Sequence, residues 1–187
     1  MYLVSKIAKT KVTVCLSGDG GDELFGGYNR YLVASKLWNK ISKIPKPAKG
    51  ALAYLIKSVK PNVWDKISDL LYKNKYLGFG FKLHKGADSL HSKNIDDLYF
   101  NLISTVKNPA EWLIDSEEYS SPNYNFDPKI SGIERMMIKD LVGYLPTDIL
   151  TKVDRTSMAV SLEARTPFLD KEIVKFALTL PLEYKIK

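Results

Sequence analysis

The sequence predicts a helix-rich α/β fold with few strands, on three observations. A short β-branched run, Lys11-Val-Thr-Val-Cys-Leu16, ends in a glycine-rich loop. Most of the other residues in this 187-residue chain place apolar side chains at helical spacing. Proline and glycine clusters cut that pattern into short helices. One strand among many helices has backbone groups that need neighbours, so the sheet's other strands are expected outside this chain.

Each element has its own signal. Leu3, Val4, Ile7 and Ala8 are spaced for a helix leading into the strand. After the loop, Tyr28 to about Ile44 mixes apolar and basic residues at helical spacing, and Pro45, Pro47 and Gly50 punctuate it. Ala51 to Val59 reads as a further helix, closed by Pro61. From Trp64 to Trp112 the periodicity predicts several helices, interrupted at Gly78-Phe-Gly80 and Asn108-Pro109, with no interpretable motif. Residues 120–128 are a turn-rich connection. Ile133, Met136, Met137, Leu141, Tyr144 and Leu145 form an apolar helical stripe that Pro146 is expected to stop, with the methionine pair as core filler. Residues 148–165 interleave polar and apolar positions. Asp170 then serves as N-cap for a last helix, Lys171 to about Leu180, with Ile173, Val174, Phe176 and Ala177 facing inward. There is no internal repeat or low-complexity tract.

Composition narrows the function classes. With 45% hydrophobic and 26% charged residues the chain suits one sizeable globular core. Met1-Tyr-Leu-Val-Ser-Lys6 lacks the form of a signal peptide, and no apolar run reaches the roughly 18–20 residues that span a bilayer. The expected location is therefore cytoplasmic, with no membrane partner. The one cysteine, Cys15, forms no internal disulfide; it reads as a buried inert thiol, and with His84 and His91 it makes no zinc set. The net charge of +7 would suit phosphates or nucleic acid. Its basic residues are scattered, however. Lys36 to Lys60 holds seven lysines and no acid, while Asp96-Asp97 and Glu117-Glu118 are small acidic spots. No nucleic-acid module accompanies them, so a solvated basic face is expected and no nucleic-acid partner.

The chemistry-bearing stretch is Ser17-Gly-Asp-Gly-Gly-Asp-Glu-Leu-Phe-Gly-Gly27, with five glycines and three carboxylates. A dinucleotide fingerprint fails because Glu23 replaces its third glycine; a Walker loop fails because Gly27-Tyr28 replaces Lys-Ser/Thr. An EF-hand fails at Leu24 and Arg30. What remains is a loop at the C-terminal end of a buried strand, where open α/β sheets bind ligands. Glycines let backbone N–H groups approach an anion, and Ser17 can donate a hydroxyl. Carboxylates beside phosphate require a cation between them, and Mg²⁺ accepts one or two carboxylates plus phosphate oxygens. The loop thus suggests a magnesium-nucleotide or pyrophosphate site; a tight turn with Asp19 and Asp22 capping local N–H groups is the competing reading.

Val14 to Tyr31 resembles the signature of the glutamine-hydrolysing asparagine synthetases, in their C-terminal synthetase domain, and Tyr144 to Asp170 resembles a later motif of that family. Residues of roughly 40 to 130 are placed only by lying between the two. The resemblance implies an adenine-nucleotide α-hydrolase-like (PP-loop ATPase) fold that uses ATP and Mg²⁺. Such a domain activates aspartate as an acyl-adenylate, which ammonia from a separate glutaminase domain attacks. Carried over by position, Asp19 is the catalytic carboxylate; Ser17, Gly18, Gly20 and Gly21 contact the nucleotide; Asp22 serves the magnesium-pyrophosphate. Asp154, Arg155, Glu163 and Arg165 match the later block and are expected as a buried polar scaffold.

Three family features are absent from the sequence. Tyr2 stands where the glutaminase domain has its cysteine after the initiator methionine; no Ser-Gly-Gly-x-Asp-Ser loop occurs; and the lysine segment that follows the Pro181 region is not present. The expectation is a partial synthetase domain over residues 1–187, truncated at both ends, with little or no synthetase activity alone. Two alternatives stay open: a family member amidating another carboxylate, such as a sugar acid in polysaccharide assembly, and a non-catalytic basic binding module.

Overall fold

The computed structural model describes residues 1–72, 78–104, 106 and 124–186. The chain forms two compact units, Met1–Leu32 with Phe126–Lys187, and Val33–Asn125. Helix α3 (Asn29–Ile41) runs across the division.

The first unit opens with α1 (Tyr2–Lys9) and β1 (Val14–Leu16). A second strand, β2 (Glu163–Arg165), pairs with β1 in parallel, Cys15 opposite Ala164. This corrects the expectation of one strand. Glu163-Ala-Arg165 carries no β-branched residue, so the sequence offers no strand signal; the ladder imposes the conformation instead. The Glu163 N–H donates to the Thr13 carbonyl at 3.0 Å, and the Ser17 N–H to the Arg165 carbonyl at 2.7 Å. Parallel sheets are ordinarily covered on both faces. Here Leu16 is 72% exposed, and Leu3 and Ile7 of α1 are 71% exposed. Cys15 is half-buried rather than buried.

The later part of this unit is one long helical run. Helix α8 (Gly132–Lys139) starts with a capping box in which the Ser131 hydroxyl accepts from the Glu134 N–H and the Glu134 carboxylate accepts from the Ser131 N–H. The run continues as a π-helix (Asp140–Leu150) and then α9 (Thr151–Met158). Pro146 does not stop it, contrary to expectation. Proline lacks an N–H and crowds a regular α-turn. In the widened turn, Thr147 and Thr151 hydroxyls donate to the Gly143 and Pro146 carbonyls at 2.8 and 2.9 Å. A short 3₁₀ turn (Pro167–Leu169), α10 (Lys171–Thr179) and α11 (Leu182–Lys185) complete the unit. Asp170 caps α10 as expected, accepting from the Glu172 N–H at 2.9 Å. Ala177 is buried, but Phe176 is exposed rather than inward. Leu24, Tyr31, Met136, Met137, Leu145 and Leu162 are the principal buried side chains.

The described part of the second unit is helical: the rest of α3, then α4 (Lys46–Ser58), α5 (Pro61–Tyr72), α6 (Phe79–Ser89) and α7 (Ile95–Ile103). Ile41, Ala53, Leu90 and Leu98 form its core, flanked by Leu37, Trp38, Ile44 and Leu102. Helix α4 begins at Lys46, not Ala51, because Pro47 lies in the first turn, where a missing N–H costs nothing. Gly80 lets α6 approach α5, its N–H donating to Asp65 Oδ1 at 2.8 Å. Asn108-Pro109, Trp112, Glu117-Glu118 and the first part of the turn-rich connection lie outside the described residues. Among the described residues, no helix is long and apolar enough to cross a membrane.

Candidate functional site

The site grows out of the end of β1. Because β1 and β2 are parallel, Ser17 and Thr166 leave the sheet at the same, C-terminal edge. Ser17 starts a turn in which the Gly21 N–H donates to the Gly18 carbonyl at 3.1 Å, and the short helix α2 (Gly21–Phe25) follows. Gly20 holds φ at +90°, in the left-handed region where a side chain is strained, and a Cβ there would fall on the Leu169 side chain. Phe168 lies against Gly21 and meets Phe25 edge to face, ring centroids 5.9 Å apart. The turn after β2 is therefore the floor on which the glycine loop rests.

The sequence-predicted residues thus gather in one turn. Ser17 donates its hydroxyl to Asp19 Oδ2 at 2.5 Å, so Asp19 accepts from a side chain rather than capping an N–H. Gly18 has open space around it, with no heavy atom within 4 Å of where a Cβ would be. Asp22 is exposed at the start of α2. Its carboxylate lies against Gly27: a Cβ on Gly27 would fall on Asp22 Oδ1. This close approach fixes one wall of the loop and explains a glycine there.

The donors suit a hard cation such as Mg²⁺, being carboxylate and hydroxyl oxygens with no soft ligand nearby in the turn. Among the described residues, no group of three or more His, Cys, Asp or Glu could hold a metal ion. Among the described residues, the turn thus forms no closed protein cage for a cation.

Behind the loop lies a network that sequence reasoning missed. Glu23 is buried, 2% exposed, and accepts from the Tyr28 hydroxyl at 2.9 Å. Burial first, and then this hydrogen bond to Glu23, push the Tyr28 hydroxyl well above the ordinary tyrosine range. The Arg30 guanidinium lies over the Tyr28 and Tyr144 rings, 4.0 and 4.8 Å from their centroids. It also donates to Asp140 Oδ2 at 2.6 Å, and the Tyr31 hydroxyl donates to the same oxygen at 2.8 Å. Asp140 begins the π-helix, so these contacts tie the chain after the loop to that helix. Tyr28, Arg30 and Tyr31 stand inside the quoted signature; their spacing alone does not disclose a partner 109 or 110 residues away.

On the far side of α2 is a largely apolar cavity of about 270 Å³, lined by Leu24, Met137 and Leu141 with Glu23, Glu134 and Lys185. Burial lowers the Lys185 ammonium below its ordinary range, against the opposing charge of Glu134.

The later block takes a different place from that expected. Asp154, Arg155, Glu163 and Arg165 are exposed in this chain, not a buried scaffold. Arg165 Nε donates to Glu163 Oε1 at 2.8 Å, a surface pair on one face of β2. Alternation along a three-residue strand sends both side chains outward together.

The asparagine synthase family matches residues 1–187. The chain is 33% identical over 190 residues to the Bacillus subtilis protein named asparagine synthetase [glutamine-hydrolyzing] 1, covering all of this chain and 28% of that protein. It is 30% identical over 186 residues to a Mycobacterium bovis protein named "Putative asparagine synthetase [glutamine-hydrolyzing]", covering 27% of it. No solved structure gives a significant match. The chain thus spans little more than a quarter of those two relatives. With the family match extending over every residue, the chain belongs to the asparagine synthase family.

Proposed function

We propose that this chain carries one half of the nucleotide site of an ATP-dependent amidotransferase that makes asparagine from aspartate by way of an aspartyl-adenylate. The observation that carries the reading is the position of Ser17–Asp22 at the C-terminal edge of a parallel strand pair, the edge at which open α/β sheets bind ligands. Ser17, Gly18, Gly20 and Gly21 would line the nucleotide phosphates, Asp19 would face the adenylated carboxylate, and Asp22 would hold the magnesium that accompanies pyrophosphate. When bound, that ion neutralises charge as pyrophosphate departs. This chain's own contribution is positional. Phe168 and Leu169 support the glycine turn, and Gly27 lets Asp22 stand close to the backbone.

The half-site reading has two supports. The sequence contains no Ser-Gly-Gly-x-Asp-Ser loop to face the present one. The exposed faces of β1 and α1 are those that further strands of a PP-loop ATPase sheet would cover. Glutamine-derived ammonia would come from a glutaminase domain elsewhere in the complete cytoplasmic enzyme. Aspartate is preferred to a sugar acid because relatives that match this whole chain bear asparagine synthetase names.

The purified chain should bind pyrophosphate only with Mg²⁺ and should form no asparagine from aspartate, ATP and ammonia. Absence of magnesium-dependent pyrophosphate binding would overturn the nucleotide reading. Measurable asparagine formation would overturn the half-site reading.

A further inference from the structure

The second unit contains a concavity that the amidotransferase reading leaves unused. It has a volume of about 490 Å³ and is lined by Lys46, Lys49, Leu90, His91, Ser92 and Lys93. Three ammonium groups and an imidazole thus surround a space of the size that takes a small ligand. Among the described residues, none of the three lysines is in an ion pair. Lys57, on the same helix, is paired with Asp88, whereas the Lys49 ammonium lies 5.8 Å from the Trp38 ring centroid, a contact that leaves its charge unneutralised.

Two further features distinguish this concavity from a solvated lysine patch. Ser92 is 4% exposed, and its hydroxyl accepts from Asn101 Nδ2 at 3.2 Å, leaving its own proton to donate. Lys46 and Lys49 occupy the first turn of α4, which has no acidic residue and no side-chain cap. Cations at a helix N-terminus oppose the helix dipole, and a bound anion reverses that conflict. One carboxylate stands nearby: Asp97 accepts from the Lys93 backbone N–H at 2.9 Å.

We propose that this concavity is a magnesium-independent site for a small oligophosphate anion, held by Lys46, Lys49, Lys93 and the Ser92 hydroxyl. Its small volume favours a short anion over a nucleic-acid strand, and no Phe, Tyr or Trp ring lines it to stack a base. The site is separate from Ser17–Asp22 in sequence and in chemistry, since it has no carboxylate in its lining and needs no bridging cation.

The test is a titration of the ¹⁵N-labelled full chain with tripolyphosphate in EDTA, which keeps the magnesium-dependent loop silent. Saturable shifts are expected at residues 46–49 and 91–93, with affinity falling tenfold or more in Lys46→Gln/Lys93→Gln and falling also in Ser92→Ala. Asp22→Asn should leave this binding unchanged, so the loop assignment and this one fail independently. The lysines substituted are exposed, and circular dichroism verifies the fold of each variant. Absence of saturable shifts, or binding unaffected by the lysine variants, would overturn the proposal. So would tenfold tighter binding of ATP than of tripolyphosphate, or tighter binding of a single-stranded oligonucleotide at the same residues.

Discussion

Asp140→Ala tests whether the network behind the glycine loop holds the loop to the π-helix. Asp140 Oδ2 receives Arg30 Nη2 at 2.6 Å and the Tyr31 hydroxyl at 2.8 Å, and its side chain is 2% exposed. Removing one partner of a buried ion pair costs about 3–5 kcal/mol. The Arg30 side chain is 30% exposed and its guanidinium stays over Tyr28 and Tyr144, which offsets about 1 kcal/mol of that loss. A net loss of about 3 kcal/mol corresponds to roughly a hundredfold rise in the opening equilibrium. Native-state hydrogen exchange on the amides of α8 and the first turn of the π-helix reads this directly. It also suits a unit whose described residues contain no tryptophan to report on unfolding. Tyr31→Phe removes one bond to a carboxylate and should cost less, about 1.5–3 kcal/mol. A change of less than about fivefold in Asp140→Ala, well under 1.4 kcal/mol, would refute the argument.

The remaining predictions concern packing, capping and pH. Leu98→Ala, at a fully buried position in the second unit's core, should cost about 2–5 kcal/mol, read by denaturant unfolding with the fluorescence of neighbouring Trp38. Ser131→Ala removes the α8 capping box and should cost about 1 kcal/mol in the same hydrogen-exchange experiment. Tyr28 gives the pH prediction. Its pKa is raised in the folded chain, so its contribution to stability is complete below the ordinary tyrosine value near 10 and is lost as pH climbs through the folded value. The ¹³Cζ resonance of Tyr28 should stay that of neutral tyrosine at pH 10.5, and Tyr28→Phe should weaken the alkaline fall in stability. Ionisation of Tyr28 at pH 10 would contradict its burial against Glu23.

The parts of the fold legible in the sequence are those with local causes. The β-branched run, the Asp170 cap, the methionine pair and the helical periodicities each depend on neighbours within a few residues. The parts that escaped depend on distant partners. Strand β2 exists because β1 lies beside it, and its Glu-Ala-Arg composition carries no strand preference. Pro146 is a reliable helix stop only for an α-helix, and the π-turn that accommodates it is not written in the local pattern. The same division holds at the candidate site. That Ser17, Gly18, Asp19, Gly20, Gly21 and Asp22 share one turn at the end of β1 was legible, because they are contiguous and glycine-rich. The buried role of Glu23 and the partnership of Arg30 with Asp140 were not, since contiguous sequence shows neither burial nor a contact 110 residues away.

The central claim is that the acids of the glycine loop hold a cation for a pyrophosphate-bearing ligand, and calorimetric titration of the chain with pyrophosphate tests it most directly. Binding should require Mg²⁺, and Asp22→Asn should weaken it at least tenfold. Gly27→Ala, whose Cβ would displace the Asp22 carboxylate, should weaken it as well while leaving the helical content unchanged. Equal pyrophosphate binding with and without Mg²⁺ at this loop, or full magnesium-dependent affinity in Asp22→Asn, would contradict the account.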